Sequence, residues 1–124
     1  MLVVRSARTR EALRSALAAA GVTVTSETDD VDAALSLHQT HRPDLLVVDV
    51  GPPHVSGLVA TLEILTLDPR ATVVACAEAA TRERASACRR AGVAHFWLEP
   101  VDPEVVTRFV QTRLRARLGV GRAA

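Results

Sequence analysis

Apolar residues occur along the chain in two alternating patterns, short continuous runs and longer stretches in which they recur every three or four positions. The first pattern is that of a buried strand, the second that of a helix with one covered face. Met1-Leu2-Val3-Val4 is such a run, and Ala12, Leu13, Ala16, Leu17 and Ala20 then repeat at helical spacing until Gly21 stops them. Val22 to Thr25 alternates apolar residues with Thr, as a half-buried strand does. Asp29 or Asp30 is placed to cap a second helix carrying Val31, Ala34, Leu35 and His38, which Arg42-Pro43 ends. Leu45-Leu46-Val47-Val48 forms a third strand that finishes in Asp49. Gly57 starts a third helix with Leu58, Leu62 and Leu65 on its covered face, closed by Asp68-Pro69, and Ala71 to Cys76 is a fourth strand. Thr81 caps a fourth helix with a narrow stripe of Ala85, Cys88 and Ala91, and Gly92 marks its exit. His95 to Leu98 is a fifth strand, and Asp102-Pro103-Glu104 opens a last helix whose buried face is Val106, Phe109, Val110 and Leu114.

Five strand-helix units joined by short loops require right-handed crossovers, and these give a parallel sheet between two layers of helices. The expectation is therefore one α/β domain over residues 1–118, with 119–124 as a frayed tail. In a sheet of this kind, ligands gather at the carboxyl ends of the strands. Asp49 stands at such an end, and Gly51-Pro52-Pro53 forces an immediate loop after it. Asp is also a common turn residue, so a purely structural role for it is the bland alternative.

Composition narrows the chemistry. The core is built from Ala, Val and Leu, because the chain has two Phe, one Trp and no Tyr, which argues against base stacking on single-stranded nucleic acid. A formal charge of +1 argues against a phosphate-backbone binder. Every basic residue is Arg, so lysine-based mechanisms are removed. Cys76 and Cys88 lack metal-type spacing and, with no apparent signal sequence, suggest reduced thiols in the cytoplasm. No apolar run reaches the length that spans a bilayer.

The order of elements, with Asp49, Pro53 and Gly57 on one strand and its loop, Arg10-Glu11-Ala12-Leu13 in the first helix, and Glu99-Pro100 after the fifth strand, resembles the receiver domain of two-component response regulators. The resemblance covers essentially the whole chain. It implies a flavodoxin-like, doubly wound fold of five parallel strands in the order 2-1-3-4-5 with five helices. It also implies that Asp49 is the phospho-acceptor, whose carboxylate attacks the phosphoryl group carried by a histidine kinase and displaces the histidine, with help from Mg²⁺. The remaining site positions depart from the family. Its acidic pair after the first strand is Arg5 and Ser6 here, its Ser or Thr after the fourth strand is Cys76, and its lysine is Glu99. Phe96 takes the place of the switching aromatic, and Gly51 retains a backbone carbonyl. A cation has thus arrived at Arg5, where it opposes Mg²⁺, and another has been replaced at Glu99, where an acid repels phosphate.

These departures give the expected function: a degenerate receiver acting by protein contact rather than catalysis, with no cofactor. The expected partners are a histidine kinase, an effector or a second copy, with no nucleic acid and no membrane bound by this domain. Two alternatives stay open, a phospho-acceptor that takes Mg²⁺ in an unusual way and a small flavodoxin-like ligand binder or enzyme. The resemblance implies a partner surface on the fourth helix, fifth strand and fifth helix, where Trp97 and Arg113 are the candidate contacts; the alternative is a solvated Arg-rich face of Arg82, Arg84, Arg89, Arg108 and Arg113 with Trp97 in the core. Arg5 is expected to pair with Asp49, Glu99 or both. Lesser candidates are a His38/His41 metal pair without a third ligand, outweighed by a helix-end role; His54 as a proton donor, outweighed by a solvated loop; and a redox-active Cys76, outweighed by an apolar filler.

Overall fold

The computed structural model describes residues 1–115. The boundary expected at 118 and the tail 119–124 lie outside the described residues. The strands are β1 (Leu2–Val3), β2 (Glu27–Thr28), β3 (Leu46–Asp49), β4 (Val73–Ala77) and β5 (His95–Leu98). The helices are α1 (Ala7–Ala19), α2 (Ala34–His41), α3 (Ser56–Leu67), α4 (Arg82–Ala91) and α5 (Pro103–Phe109), the last continuing as a wider turn through Leu114. All pairings are parallel, and the order is β2-β1-β3-β4-β5, as the resemblance implies. Among the described residues no helix is long and apolar enough to cross a membrane.

The helix signals act as read. Ser6, which the apolar spacing does not mark as a cap, starts α1 by accepting from the Thr9 N–H at 3.2 Å. Asp30 caps the short 3₁₀ turn that leads into α2, Thr81 caps α4, and Asp102 caps α5 with Pro103 in its first turn. Gly92 leaves α4 at a φ of 103°, a left-handed conformation that glycine adopts at little cost.

Helices cover both faces of the sheet, so each internal strand divides its side chains between two cores. Leu2, Val4, Val47, Val74, Cys76 and Trp97 meet the buried faces of α1 and α5, Leu13, Leu17, Val106, Phe109 and Leu114 among them. Val3, Leu46, Val48, Val73 and Ala75 meet Ala34, Ile64 and Cys88 of α2, α3 and α4.

Three expectations change. The ladder of the second strand forms at Glu27–Thr28 and not at Val22–Thr25. Leu2 pairs with Glu27, so Val22 to Thr25 run past the start of β1 and have no ladder partner there, although Val22 and Val24 still pack on the core. The covered face of α3 is Gly57, Ala60, Thr61, Ile64 and Leu65, while Leu62 is exposed, because Gly57 docks on the end of β3 and fixes the rotation of the helix.

The third correction concerns Trp97, expected on a partner surface. It is 2% exposed and lies edge-on to Phe109, with ring centroids 5.6 Å apart. The pleat of β5 turns His95 and Trp97 to the α5 side, and beyond His95 the helix has closed over the strand. Arg113 is exposed, as that expectation required.

Candidate functional site

β1 and β3 are adjacent strands, so the residue after β1 and the last residue of β3 come together by topology. Asp49 is half-buried. Its Oδ1 accepts the Gly51 N–H at 2.8 Å, a local turn bond made easier because a Cβ on Gly51 would stand only 3.1 Å from that oxygen. Its Oδ2 faces Arg5, 3.7 Å from Nη1. The other amino group of Arg5 donates to Ser56 Oγ at 2.7 Å, at the first residue of α3. Arg5 is thereby held over the carboxylate and anchored to the helix that follows it.

Part of the expected pairing is present and part is not. The Arg5–Asp49 contact is longer than a hydrogen bond and is not bidentate, and the side chains are 29% and 15% exposed. Such a pair is worth at most about 1 kcal/mol. Arg5 makes no ion pair with Glu99 among the described residues, because β3 and β4 lie between β1 and β5 and each step across a sheet is about 4.8 Å.

Ser6, in an acid's position for the family, spends its hydroxyl on capping α1. Cys76 is paired in register with Asp49 and fully buried. Burial pushes its thiol well above the usual range, with Glu99 and Asp49 adding to the effect, which opposes formation of a thiolate beside Arg5. Phe96 is half-buried against the α2-α3-α4 core. Glu99 is tied to β4 through its backbone N–H, which donates to Ala77 O at 2.8 Å.

The Glu99 side chain is half-buried and has no ion-pair partner among the described residues. Burial raises its carboxyl, a hydrogen bond with Thr9 partly offsets this, and Asp49 and Glu78 raise it further. A carboxyl raised by folding binds more protons in the native state, so stability falls as pH rises from the ordinary value of 4.5 through the raised one. Glu99→Gln is therefore expected to be the more stable protein near about pH 7, with the difference closing near about pH 4. Urea melts at both values check this, and a pH-independent difference contradicts it.

Two polar contacts were not legible in the sequence, one at the site and one at the opposite end of the sheet. Arg84, noted in the sequence only as part of an Arg-rich face, donates from Nη1 to Val50 O at 2.7 Å and to His54 O at 2.6 Å. It ties the loop after Asp49 to the first turn of α4. His38 is buried and bonded through Nε2 to Asp68 Oδ2 at 3.1 Å, a tertiary contact that no helical spacing announces. His54 is exposed and offers only its carbonyl, and the described residues contain no cluster of three or more potential metal ligands.

The donor set does not suit Mg²⁺, which requires near-octahedral oxygen ligands and carboxylate charge. One carboxylate stands here, one of its oxygens is taken by a backbone N–H, and a guanidinium faces the other.

Comparison with known proteins agrees with the fold. The profile of the response regulator receiver domain matches residues 2–111. Protein CcdB of Bacillus subtilis is 30% identical over 111 residues, which is 89% of this chain and 92% of that protein. The chemotaxis protein CheY of Thermotoga maritima is 26% identical, over 86% of this chain and 88% of its own. Among solved structures, a LuxR-family two-component response regulator from Aurantimonas superposes with a TM-score of 0.81 at 25% identity, covering 94% of this chain and 84% of that one. A βα array in this strand order, a carboxylate at the end of β3 and a family match over nearly all described residues place the chain in the response regulator receiver domain family of two-component signalling.

Proposed function

We propose that this receiver is an atypical one, which signals through protein contacts without Mg²⁺-dependent phosphoryl transfer to Asp49. The observation that carries the proposal is the Arg5 guanidinium, 3.7 Å from Asp49 Oδ2 and anchored on Ser56. A cation held there opposes a divalent metal beside the carboxylate that has to attack phosphorus. Glu99 replaces the lysine that neutralises phosphoryl oxygens in the family, so the charges of the site favour neither the metal nor the phosphate. Catalysis has no other foothold among the site residues, since the thiol of Cys76 is buried and raised. The domain is accordingly a contact module, with a kinase, an effector or a second copy as its partner.

Incubation with acetyl phosphate and Mg²⁺ followed by intact mass measurement is expected to return unmodified protein. A stoichiometric phosphoryl adduct, lost in Asp49→Ala, overturns this reading in favour of a phospho-acceptor. That second reading draws on one feature: Asp49 is in place and 15% exposed, within reach of a donor.

A further inference from the structure

Between the first turns of α1 and the loop joining β5 to α5 lies an open cavity of about 390 Å³. Ala12, Leu13, Pro100 and Val101 give it an apolar floor, and Glu78 and Glu99 stand on its wall. Its charges are unbalanced. Among the described residues neither acid forms an ion pair, and Arg5, the cation at the adjacent site, is engaged by Asp49 and Ser56. The remaining cation of the lining is Arg8, an exposed side chain at the rim without an ion pair among the described residues. Thr9 partly offsets the burial of the Glu99 carboxyl.

An apolar floor beneath two acids complements a side chain with an aliphatic stem and a cationic head. Of the two such side chains, arginine fits better, because its planar fork meets carboxylates with several N–H groups and its weaker hydration makes it easier to bury. We propose that this groove receives an arginine side chain presented by a partner protein, its stem on Leu13 and Val101 and its guanidinium at Glu99 and Glu78. The proposal rests on the reading of the domain as a contact module, and it does not depend on whether Asp49 takes up phosphate. The bound guanidinium supplies the countercharge that Glu99 lacks among the described residues.

The test is a titration of the isotopically labelled protein with the capped peptide acetyl-Gly-Arg-Gly-amide, followed through the amide resonances of residues 9–13 and 99–101. The control is the same peptide with citrulline, which keeps the shape of arginine and removes its charge. Saturable shifts are expected with the arginine peptide, with affinity weaker by about tenfold for the citrulline peptide. The arginine peptide should also bind about tenfold more weakly to Glu99→Gln, an isosteric change that removes a half-buried charge and leaves the fold intact. Arg8→Ala should bind the peptide at least as tightly as the unaltered protein. Equal binding of the two peptides, no saturable shift, an unchanged affinity in Glu99→Gln, or loss of binding in Arg8→Ala would each overturn the proposal. Shifts of the same amides on concentrating the protein alone would overturn the separate partner and assign the arginine to a second copy. An acetyl phosphate adduct at Asp49 with this binding intact would remove the phosphate-independent reading and leave the groove standing.

Discussion

Gly57→Ala is expected to destabilise the domain by about 2 kcal/mol or more. A Cβ at this position collides with the carbonyl oxygen of Asp49 and lies 3.2 Å from the Cα of Val50. Both obstacles are backbone, so no side chain can rotate away. Relief requires α3 to lift from the end of β3 or the strand to bend. Overpacking of this sort costs about 1 to 3 kcal/mol and sometimes more, and the rigid obstacle puts it at the upper end. Against it stands a gain of roughly 0.5 to 1 kcal/mol from replacing glycine within a helix. A urea melt should show a lower midpoint at an unchanged slope, and thermal unfolding should drop by roughly 8 °C. The displacement also moves Ser56, so the Arg5 anchor at 2.7 Å should be lost with it. A stability within about 0.5 kcal/mol of the unaltered protein would show that the helix does not rest on Asp49.

Trp97→Ala is expected to cost about 3 to 5 kcal/mol, the usual range for emptying a large aromatic from a core. The side chain is fully enclosed, with Phe109 edge-on at 5.6 Å, and its removal strips Phe109 of that contact as well. Trp97→Phe should cost much less. The indole N–H has no hydrogen-bond partner among the described residues, so phenylalanine gives up no bond there. Arg113→Glu, at an exposed position, should stay within about 0.5 kcal/mol of the unaltered protein. Denaturant melts of the three variants separate a core tryptophan from an interface one. If Trp97→Ala left stability unchanged while altering the association state, the enclosed position would be refuted.

Both effects concern backbone approach and packing, and these mark the boundary between what the chain announces and what only its folding reveals. Strand and helix order, the caps at Asp30, Thr81 and Asp102, the exit at Gly92 and the buried face of α5 follow from local rules. Each depends on a residue's own backbone preference or on the period of its helix, quantities that neighbours in sequence already carry. The position of Asp49 follows from the same rules, since an apolar strand ending in a carboxylate and a breaker loop needs no partner to be recognised. The departures at Arg5, Ser6, Cys76 and Glu99 are likewise plain in the residues themselves.

The tertiary structure decided the rest. Whether Arg5 reaches Asp49 or Glu99 depends on which strands are neighbours, and the order of the sheet puts Asp49 beside it and Glu99 three strands away. The rotation of α3 depends on Gly57 meeting the Asp49 backbone, which apolar spacing cannot register because Leu58 and Leu62 fit a helical period with Leu65 as well as Ala60, Thr61 and Ile64 do. Trp97 has the composition of an interface residue, and its enclosure comes from α5 closing over β5. The bonds from Arg84 to Val50 and His54 and from His38 to Asp68 join positions about thirty apart in the chain. Sequence periodicity records which face of an element is covered, and it carries no information about what covers it; that is fixed when the elements pack, because only then do distant polar groups lose water and have to find one another.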